Sequence, residues 1–574
     1  MSEAGLAGTP RGAAGPGATS SPRAAPETEA PTATPRESSS RREFLTGAGT
    51  AAIAVGGAVV ATRALGGTLR VAHPRKPLPR TSLSEPAWLL AAEGRPIGSD
   101  WSALRRQLSS GRLYEPGEVG YEQAKRLFEP RFDGIRPAGV AYCARASDVA
   151  TCLAFARKYK LAVRIRAGGH SYAGWSTIVG GLVIDVSLMD AFSVAGQTVD
   201  VGAGLSLIRF YESLAAHGLA VPAGSCPTVG IAGLALGGGV GVTSRLHGLT
   251  SDNLLAVQLV TADGGVLECS SRTHPDLFWA CRGGGGGNFG VATAFKFRAH
   301  SLTQLCVFSL TWPWQQAANV VGAWQFWAPH APDRLWSNLT LSAPFGGGPA
   351  VSVGGTYAGT SHGLLRHLDE FYHLAGTQPS GIFVRPASYL GAMLLEAGCA
   401  GRPLAGCHTG PGGSLPRVPA LAKSDFFTRP LDGRGIRALL SAMERPRGIP
   451  GAAGGSGSIM LDALGGAVNR IPADATAFVH RDALFLAQYS TTWSWPGSAS
   501  GVAAQRDWLR SSYRRLHRHA SGQAYQNYVD PELTDWPSAY YGSNYQRLTE
   551  VKRFYDPASV FSFPQSIRPT SRQW

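Results

Sequence analysis

Downstream of about residue 100, the hydrophobic positions switch repeatedly between two periods. Val149, Cys152, Leu153 and Ala156 recur at helical spacing and predict a helix, capped by Ser147, that runs to about Tyr159. Residues 162–166 and 182–186 are short apolar runs of strand length. Leu205, Ile208, Tyr211 and Leu214 share one face of a helix over 205–217, which Gly218 closes. Residues 256–261 and 265–269 flank Asp263-Gly264 and read as a hairpin, because this pair readily adopts the positive φ a tight turn needs. Residues 291–297 alternate as a further strand.

Beyond about residue 300 the texture changes. Residues 336–357, 457–464 and 484–493 predict strands; residues 362–374 and 502–517 predict helices, the second carrying Leu509, Tyr513 and Leu516. A last helix with Leu548, Val551 and Tyr555 is stopped at Asp556-Pro557, since the residue before a proline is pushed out of the helical region. No internal repeat is visible. The fold class is α+β, with an antiparallel sheet covered by helices in the second half.

The N-terminus lacks this patterning. Residues 1–37 are rich in Ala, Pro, Thr, Ser and Gly and hold too few apolar positions to offset the entropy of ordering. Ser40-Arg41-Arg42-Glu43-Phe44-Leu45 then precedes an apolar, small-residue run over about 48–61, which reads as a twin-arginine (Tat) export signal. The run is shorter than the roughly 20 apolar residues a span needs, so no stable membrane span is expected. The implied partner is the Tat translocation machinery, and the implied destination is outside the cytoplasm. The expected organisation is a disordered N-terminus and signal over 1–67, a linker over 68–89, a first domain over 90–300, a second over 301–529, and a C-terminal segment over 530–574 that returns to the first.

The 574 residues carry a formal net charge of +15, yet 46 of the 53 basic residues are arginine and no long basic block appears. Arg514, Arg515 and Arg518 read as one solvated helix face, and nucleic acid is not an expected partner. None of the eight cysteines forms a Cys-x-x-Cys pair, so no zinc site is expected. An oxidising destination permits disulfides. Cys399 and Cys407 close a short Gly/Pro-rich loop and form the candidate pair. Cys143, Cys152, Cys269, Cys281 and Cys306 sit among apolar neighbours as buried thiols.

The candidate chemistry lies in glycine-dense turns. Arg164-Ile-Arg-Ala-Gly-Gly-His-Ser-Tyr-Ala-Gly-Trp-Ser176 places His170 after adjacent glycines, whose N–H groups can cradle a pyrophosphate. It is not the G-x-G-x-x-G pattern of a dinucleotide site. Residues 224–241 begin Gly-Ser-Cys-Pro-Thr-Val-Gly and hold seven glycines in eighteen positions. Such a segment is too rich in glycine for a regular core element, and it suits backbone that wraps an extended ligand. Its thiol, Cys226, lies on a turn constrained by Pro227. Residues 282–290, Arg-Gly-Gly-Gly-Gly-Gly-Asn-Phe-Gly, add a third such loop. A reactive imidazole and a reactive thiol, each in a turn able to lie against a flat, phosphate-bearing ligand, suggest a covalently held flavin. Export supports this, because Tat moves folded proteins and a cofactor that cannot be replenished outside is best bonded.

These motifs resemble the berberine bridge enzyme-like family of FAD-linked oxidases, which carry the FAD-binding domain named for p-cresol methylhydroxylase. The similarity runs from about Tyr121 to Ile567. Gly465-Gly-Ala-Val-Asn-Arg-Ile-Pro472 and Ala477-Phe-Val-His-Arg481 resemble the family's substrate domain, where His480 and Arg481 read as anchors of the sheet. Tyr525-Gln-Asn-Tyr-Val-Asp530, Tyr541-Gly-Ser-Asn-Tyr-Gln-Arg-Leu548 and Val551-Lys-Arg-Phe-Tyr-Asp-Pro557 resemble its C-terminal signature.

The resemblance implies a two-part FAD-binding domain and a bicovalent FAD, bonded by His170 at the 8α carbon and by Cys226 at C6. It implies cofactor contacts from Arg166, Ala167, Gly168, Gly169, Ser171, Gly224, Thr228, Val229, Gly233, Gly238, Gly241, Val291, Asn527 and Asn544. Tyr525 or Tyr528 would serve as the base, and Gln488, Tyr489 and Trp493 would face the substrate. The implied reaction is hydride transfer from an alcohol or hemiacetal carbon of a sugar, oligosaccharide or glycosylated natural product to flavin N5, with molecular oxygen as the second substrate and hydrogen peroxide as product. The alternative is oxidative tailoring or cyclisation of an aromatic secondary metabolite. Some relatives place an acid or a lysine two residues before the matching Gln; here that position is Leu486, which weighs against a cyclisation that needs a carboxylate there. A flavin- or carbohydrate-binding protein without turnover is the rival from another class.

Overall fold

Four sheets and the helices packed on them account for both periods of the sequence pattern. The computed structural model describes residues 95–344, 347–444 and 455–570; the export motif, the apolar run after it and the linker lie outside the described residues. Strands β1 (Leu113–Tyr114), β2 (Gly139–Tyr142), β3 (Val163–Arg166) and β4 (Leu182–Asp185) form a sheet of order β1-β2-β4-β3 in which β2, β4 and β3 run parallel. Parallel neighbours need a crossover. The helix Ala146–Lys158 carries the chain from β2 to β3, on either side of β4, and buries Val149, Cys152, Leu153 and Ala156, the face the sequence predicts. Its cap differs from the expectation. Arg145, not Ser147, stands at the cap position and no side chain caps the free end; the Asp148 carboxylate reaches back to the Ala144 N–H at 2.9 Å and also binds Ser109, tying down the chain that enters the helix.

Residues 192–301 add β5 (Phe192–Ala195), β6 (Thr198–Gly202), β7 (Leu219–Ala220), β8 (Leu254–Val260), β9 (Val266–Ser270), β10 (Val291–Arg298) and β11 (His300–Ser301). Five of them make an antiparallel sheet of order β5-β6-β10-β8-β9, while β7 and β11 pair separately. The predicted hairpin is β8–β9, with Gly264 at φ 91°. The glycine-rich segment is more regular than expected: Ile231–Leu236 forms a short helix with Gly230 at its start. Gly233 is tolerated there because its α-carbon faces open space, with no atom within 4 Å of a Cβ placed on it.

Strands β12 (Gln304–Trp312), β13 (Leu335–Pro344), β14 (Ala350–Tyr357), β15 (Gly381–Ser388), β16 (Ala420–Phe427), β17 (Ser456–Ala463) and β18 (Phe485–Thr492) form a seven-stranded antiparallel sheet of order β15-β12-β14-β13-β17-β18-β16. The helices Ala317–His330, Gly433–Glu444 and Ala499–His517 pack against this sheet, and Ser361–Ala375 joins them. Trp324, Trp327, Phe371, Leu439, Leu509 and Leu516 meet Phe485, Ala487 and Tyr489 in that core. Each such side chain contributes about 1.5–3 kcal/mol by leaving water. Side chains alternate along a strand, so Leu486 and Gln488 point to the other face. Leu486 there joins a separate cluster with Phe426, Phe478 and Tyr525.

Buried polar links hold this face in place. Arg481 binds Asp252 through two hydrogen bonds of 2.8 and 2.7 Å, and both side chains are 3% exposed. Arg245 donates to the carbonyls of Pro329 and Leu335 at 2.8 Å each, and to those of Ala331 and Leu464. The helix Tyr545–Tyr555 buries Leu548 and Val551. Its Lys552 ammonium binds Asp556 at 2.6 Å and the carbonyls of Asn288 and Phe561, so the chain end closes on the 282–290 loop. Replacing Arg481 by Leu strands the buried Asp252 carboxylate, and the expected loss is about 3–5 kcal/mol of unfolding free energy in a denaturant titration.

Cys399 and Cys407 are disulfide-bonded, and the other six cysteines are free thiols, of which only Cys226 is not buried. Among the described residues, no helix is long and apolar enough to cross a membrane and no group of three or more His, Cys, Asp or Glu side chains is arranged to hold a metal ion.

Candidate flavin and substrate site

Three glycine-rich loops, the segment 561–565 and the face of the seven-stranded sheet opposite the helices Ala317–His330, Gly433–Glu444 and Ala499–His517 line a cavity of 320 Å³. Gly168, Gly169, His170 and Ser171 enter it from the loop after β3; Gly224, Cys226, Val229, Gly233 and Gly241 enter from the second loop. Gly285, Gly286 and Gly287 come from the third, and Tyr525, Asn527 and Tyr528 from the C-terminal signature.

The first two loops cross backbone to backbone. A Cβ on Gly168 would collide with the Gly230 amide nitrogen and approach the Thr228 carbonyl, and a Cβ on Gly230 would collide with the Gly168 nitrogen. Glycine is required here for closeness, since any side chain would pry His170 away from Cys226. His170 stacks on Phe128 with centroids 4.0 Å apart, and its Nε2 lies 2.9 Å from the Thr228 hydroxyl. Burial pushes its pKa down to about 3, so the imidazole is neutral and keeps a lone pair. Burial pushes the Cys226 thiol up to about 11, against the Thr228 amide and hydroxyl and the Val229 amide, all of which favour the thiolate.

The tyrosines divide by role. The Tyr525 oxygen accepts from the Gly239 and Val240 amides at 2.9 and 3.3 Å and from Asn527 Nδ2 at 2.9 Å. Burial raises its pKa and these three donors oppose the rise. Its oxygen is occupied in holding the 239–240 turn. Tyr528 stacks on Tyr172 at 5.8 Å, and its hydroxyl has no hydrogen-bond partner among the described residues. Gln488 donates to the Tyr172 hydroxyl at 2.9 Å and so reaches the cavity through it.

Sequence reasoning missed Asp462. It is 5% exposed, lies on β17, lines the cavity and accepts no side-chain hydrogen bond among the described residues. Burial pushes its pKa up to about 7. In the ladder Asp462 pairs directly with Leu486, and Met460 with Gln488. Directly opposed residues share a face, so the Asp462 carboxylate lies beside Leu486 on the cavity side of the sheet. The signal was present as the one carboxylate in the predicted 457–464 strand, but its face depends on the register.

Several expected contacts are placed elsewhere. Tyr489 lies in the helix-side core, where its hydroxyl binds Asp425 at 2.9 Å; parity with Phe485 groups it correctly but on the face away from the cavity. Trp493 is buried outside the cavity lining, with the Arg131 guanidinium 6.0 Å from its ring. Arg166 pairs with Asp185 and donates to the Ala124 carbonyl, so its charge is spent inside the first sheet. Val291 is a fully buried strand residue flanked by the lining residues Gly290 and Ala292. Gly238 packs against Phe478, and Asn544 donates to the carbonyls of Ala473 and Thr476. Ala167 does line the cavity, while Thr228 stands behind it, between His170 and Cys226.

The lining fits FAD. An extended wall of glycine backbone, open at Gly233, suits a long planar ligand with a pyrophosphate, and a neutral imidazole and a thiol reach the same space. Fold and lining together define a flavin-binding oxidoreductase. Residues 137–270 match the FAD binding domain family, and residues 524–568 match the family described as berberine and berberine like. The chain is 34% identical to the uncharacterized FAD-linked oxidoreductase YgaK of Bacillus subtilis, over 81% of this chain and 98% of that one. Among solved structures, Physcomitrella patens BBE-like 1 aligns with a TM-score of 0.73 and 30% identity, covering 82% of this chain and all of that one. A chitooligosaccharide oxidase aligns with a TM-score of 0.71 and 25% identity, again over 82% of this chain and 100% of the other. The chain belongs to the berberine bridge enzyme-like family of FAD-linked oxidoreductases.

Proposed function

We propose that the protein is an exported oxidase that takes a hydride from the CH–OH carbon of a sugar, oligosaccharide or glycosylated natural product, using FAD bonded to both His170 and Cys226. The carrying observation is the unpartnered Asp462 carboxylate in the cavity that His170 and Cys226 also reach. When bound, FAD supplies the two-electron acceptor and passes the electrons to molecular oxygen, yielding hydrogen peroxide.

The chain supplies the proton chemistry and the positioning. Asp462 accepts the hydroxyl proton as the carbon loses its hydride. A base with a pKa near 7 is half ionised at neutral pH and needs no further activation. Tyr528 and the Gln488-oriented Tyr172 hydroxyl offer hydrogen bonds to further hydroxyl groups of the substrate, and their stacked rings give it a flat wall. Tyr525 holds the 239–240 turn. The chitooligosaccharide oxidase neighbour supports a carbohydrate substrate. The aromatic wall also favours a second reading, oxidation or cyclisation of an aromatic metabolite, for which Asp462 would replace the acid absent at Leu486.

A peroxide-coupled screen of oligosaccharides against aromatic alcohols separates the two readings. Tryptic mass spectrometry of the yellow protein tests the attachment: the expected product is one FAD joining the His170 and Cys226 peptides. Recovery of either peptide unmodified overturns the double attachment, and a protein whose colour never bleaches under anaerobic substrate is a binder without turnover.

A further inference from the structure

Thr228 stands between the two nucleophiles. Its hydroxyl oxygen is 2.9 Å from His170 Nε2. Thr228 lies two residues after Cys226, and its amide and hydroxyl favour the thiolate there. The crossing of Gly168 with Gly230 fixes this bridge, because both loops are pinned within two residues of it.

We propose that Thr228 is a positioning residue for both covalent attachments: its hydroxyl accepts the His170 Nε2–H and donates to the Cys226 sulfur, leaving Nδ1 and Sγ as the electron-pair donors. This rests on the reading that FAD is bonded at both residues. A single hydroxyl can serve both ends because it has one proton to give and lone pairs to receive. The direction follows from the proton count: the hydroxyl gives its one proton to the sulfur, so it can only accept at Nε2, which then carries the ring proton. Each attachment exchanges a C–H bond of the flavin for a C–N or C–S bond. The residue gives up its N–H or S–H proton, the carbon gives up its hydrogen, and the two electrons released pass through the flavin to molecular oxygen, forming one hydrogen peroxide per bond. When Nδ1 has bonded, the imidazole carries a positive charge, and the Nε2 proton leaves through the Thr228 oxygen.

Thr228→Val removes the hydroxyl at nearly constant volume, and Thr228→Ser restores it. Each variant is purified with its FAD and precipitated with acid, and the His170 and Cys226 peptides are weighed separately. The expected result is wild-type attachment in Thr228→Ser and at least a tenfold fall in the doubly attached fraction in Thr228→Val. Wild-type attachment in Thr228→Val overturns the proposal. Equal loss in Thr228→Ser and Thr228→Val also overturns it, since the side chain would then serve only packing. A wild-type protein with free peptides instead removes the underlying reading of two attachments.

Discussion

Asp462→Asn is expected to lower kcat by about 10²–10⁴-fold while leaving FAD attached, because general-base catalysis by a positioned carboxylate contributes on that order. The asparagine keeps the size and removes the charge. Below pH 7 the wild-type carboxyl takes up its proton and can no longer accept one, so kcat/KM rises with pH to a limb near 7, and this limb is absent in the variant. Stability gives an independent check. The folded pKa of about 7 lies above the ordinary value of 3.8, so the folded state holds this proton more tightly than the unfolded chain. Between those two values the wild-type protein loses stability as the pH rises, and above about 7 the loss is complete; Asp462→Asn lacks that slope. Tyr525→Phe behaves differently. It removes an oxygen that accepts three N–H donors, two of them backbone amides, so the expected effect is a loss of about 1–3 kcal/mol of stability with the pH limb unchanged. If Tyr525→Phe abolishes the limb and Asp462→Asn retains it, the phenol is the base.

Gly168→Ala is expected to reduce the doubly attached flavin at least tenfold and to destabilise the protein by roughly 1–3 kcal/mol, the range for overpacked sites. The added carbon has no flexible neighbour to displace: it meets the Gly230 amide and the Thr228 carbonyl, both backbone. The loops must therefore separate, and His170 moves relative to Cys226. Acid precipitation and a thermal melt read the two effects on the same sample. Gly98→Ala is the control, since its added carbon meets nothing within 4 Å and both readouts should stay at wild-type values.

The C-terminal signature shows how far a local pattern reaches. Tyr525, Asn527 and Tyr528 do line the cavity, as their motif implies. Their division of labour could not be read, because it depends on the Gly239 and Val240 amides, nearly three hundred residues upstream. The β18 residues show the opposite failure. Alternation grouped Tyr489 with Phe485 correctly, but a period of two does not say which face meets the ligand. The helices Gly433–Glu444 and Ala499–His517 decide that by covering the Tyr489 side.

Glycine spacing, hydrophobic period and the chemistry of His170 and Cys226 are properties of short windows. Sequence alone therefore determined the α+β class, the three close-approach loops, the disulfide at Cys399 and Cys407, and a flavin as the ligand. The crossing of Gly168 with Gly230, the contact of the Thr228 hydroxyl with His170, and Asp462 facing the cavity beside Leu486 were decided only by the tertiary structure. Each depends on the register of chain segments far apart in sequence, and burial then sets the proton affinities, which no local pattern encodes.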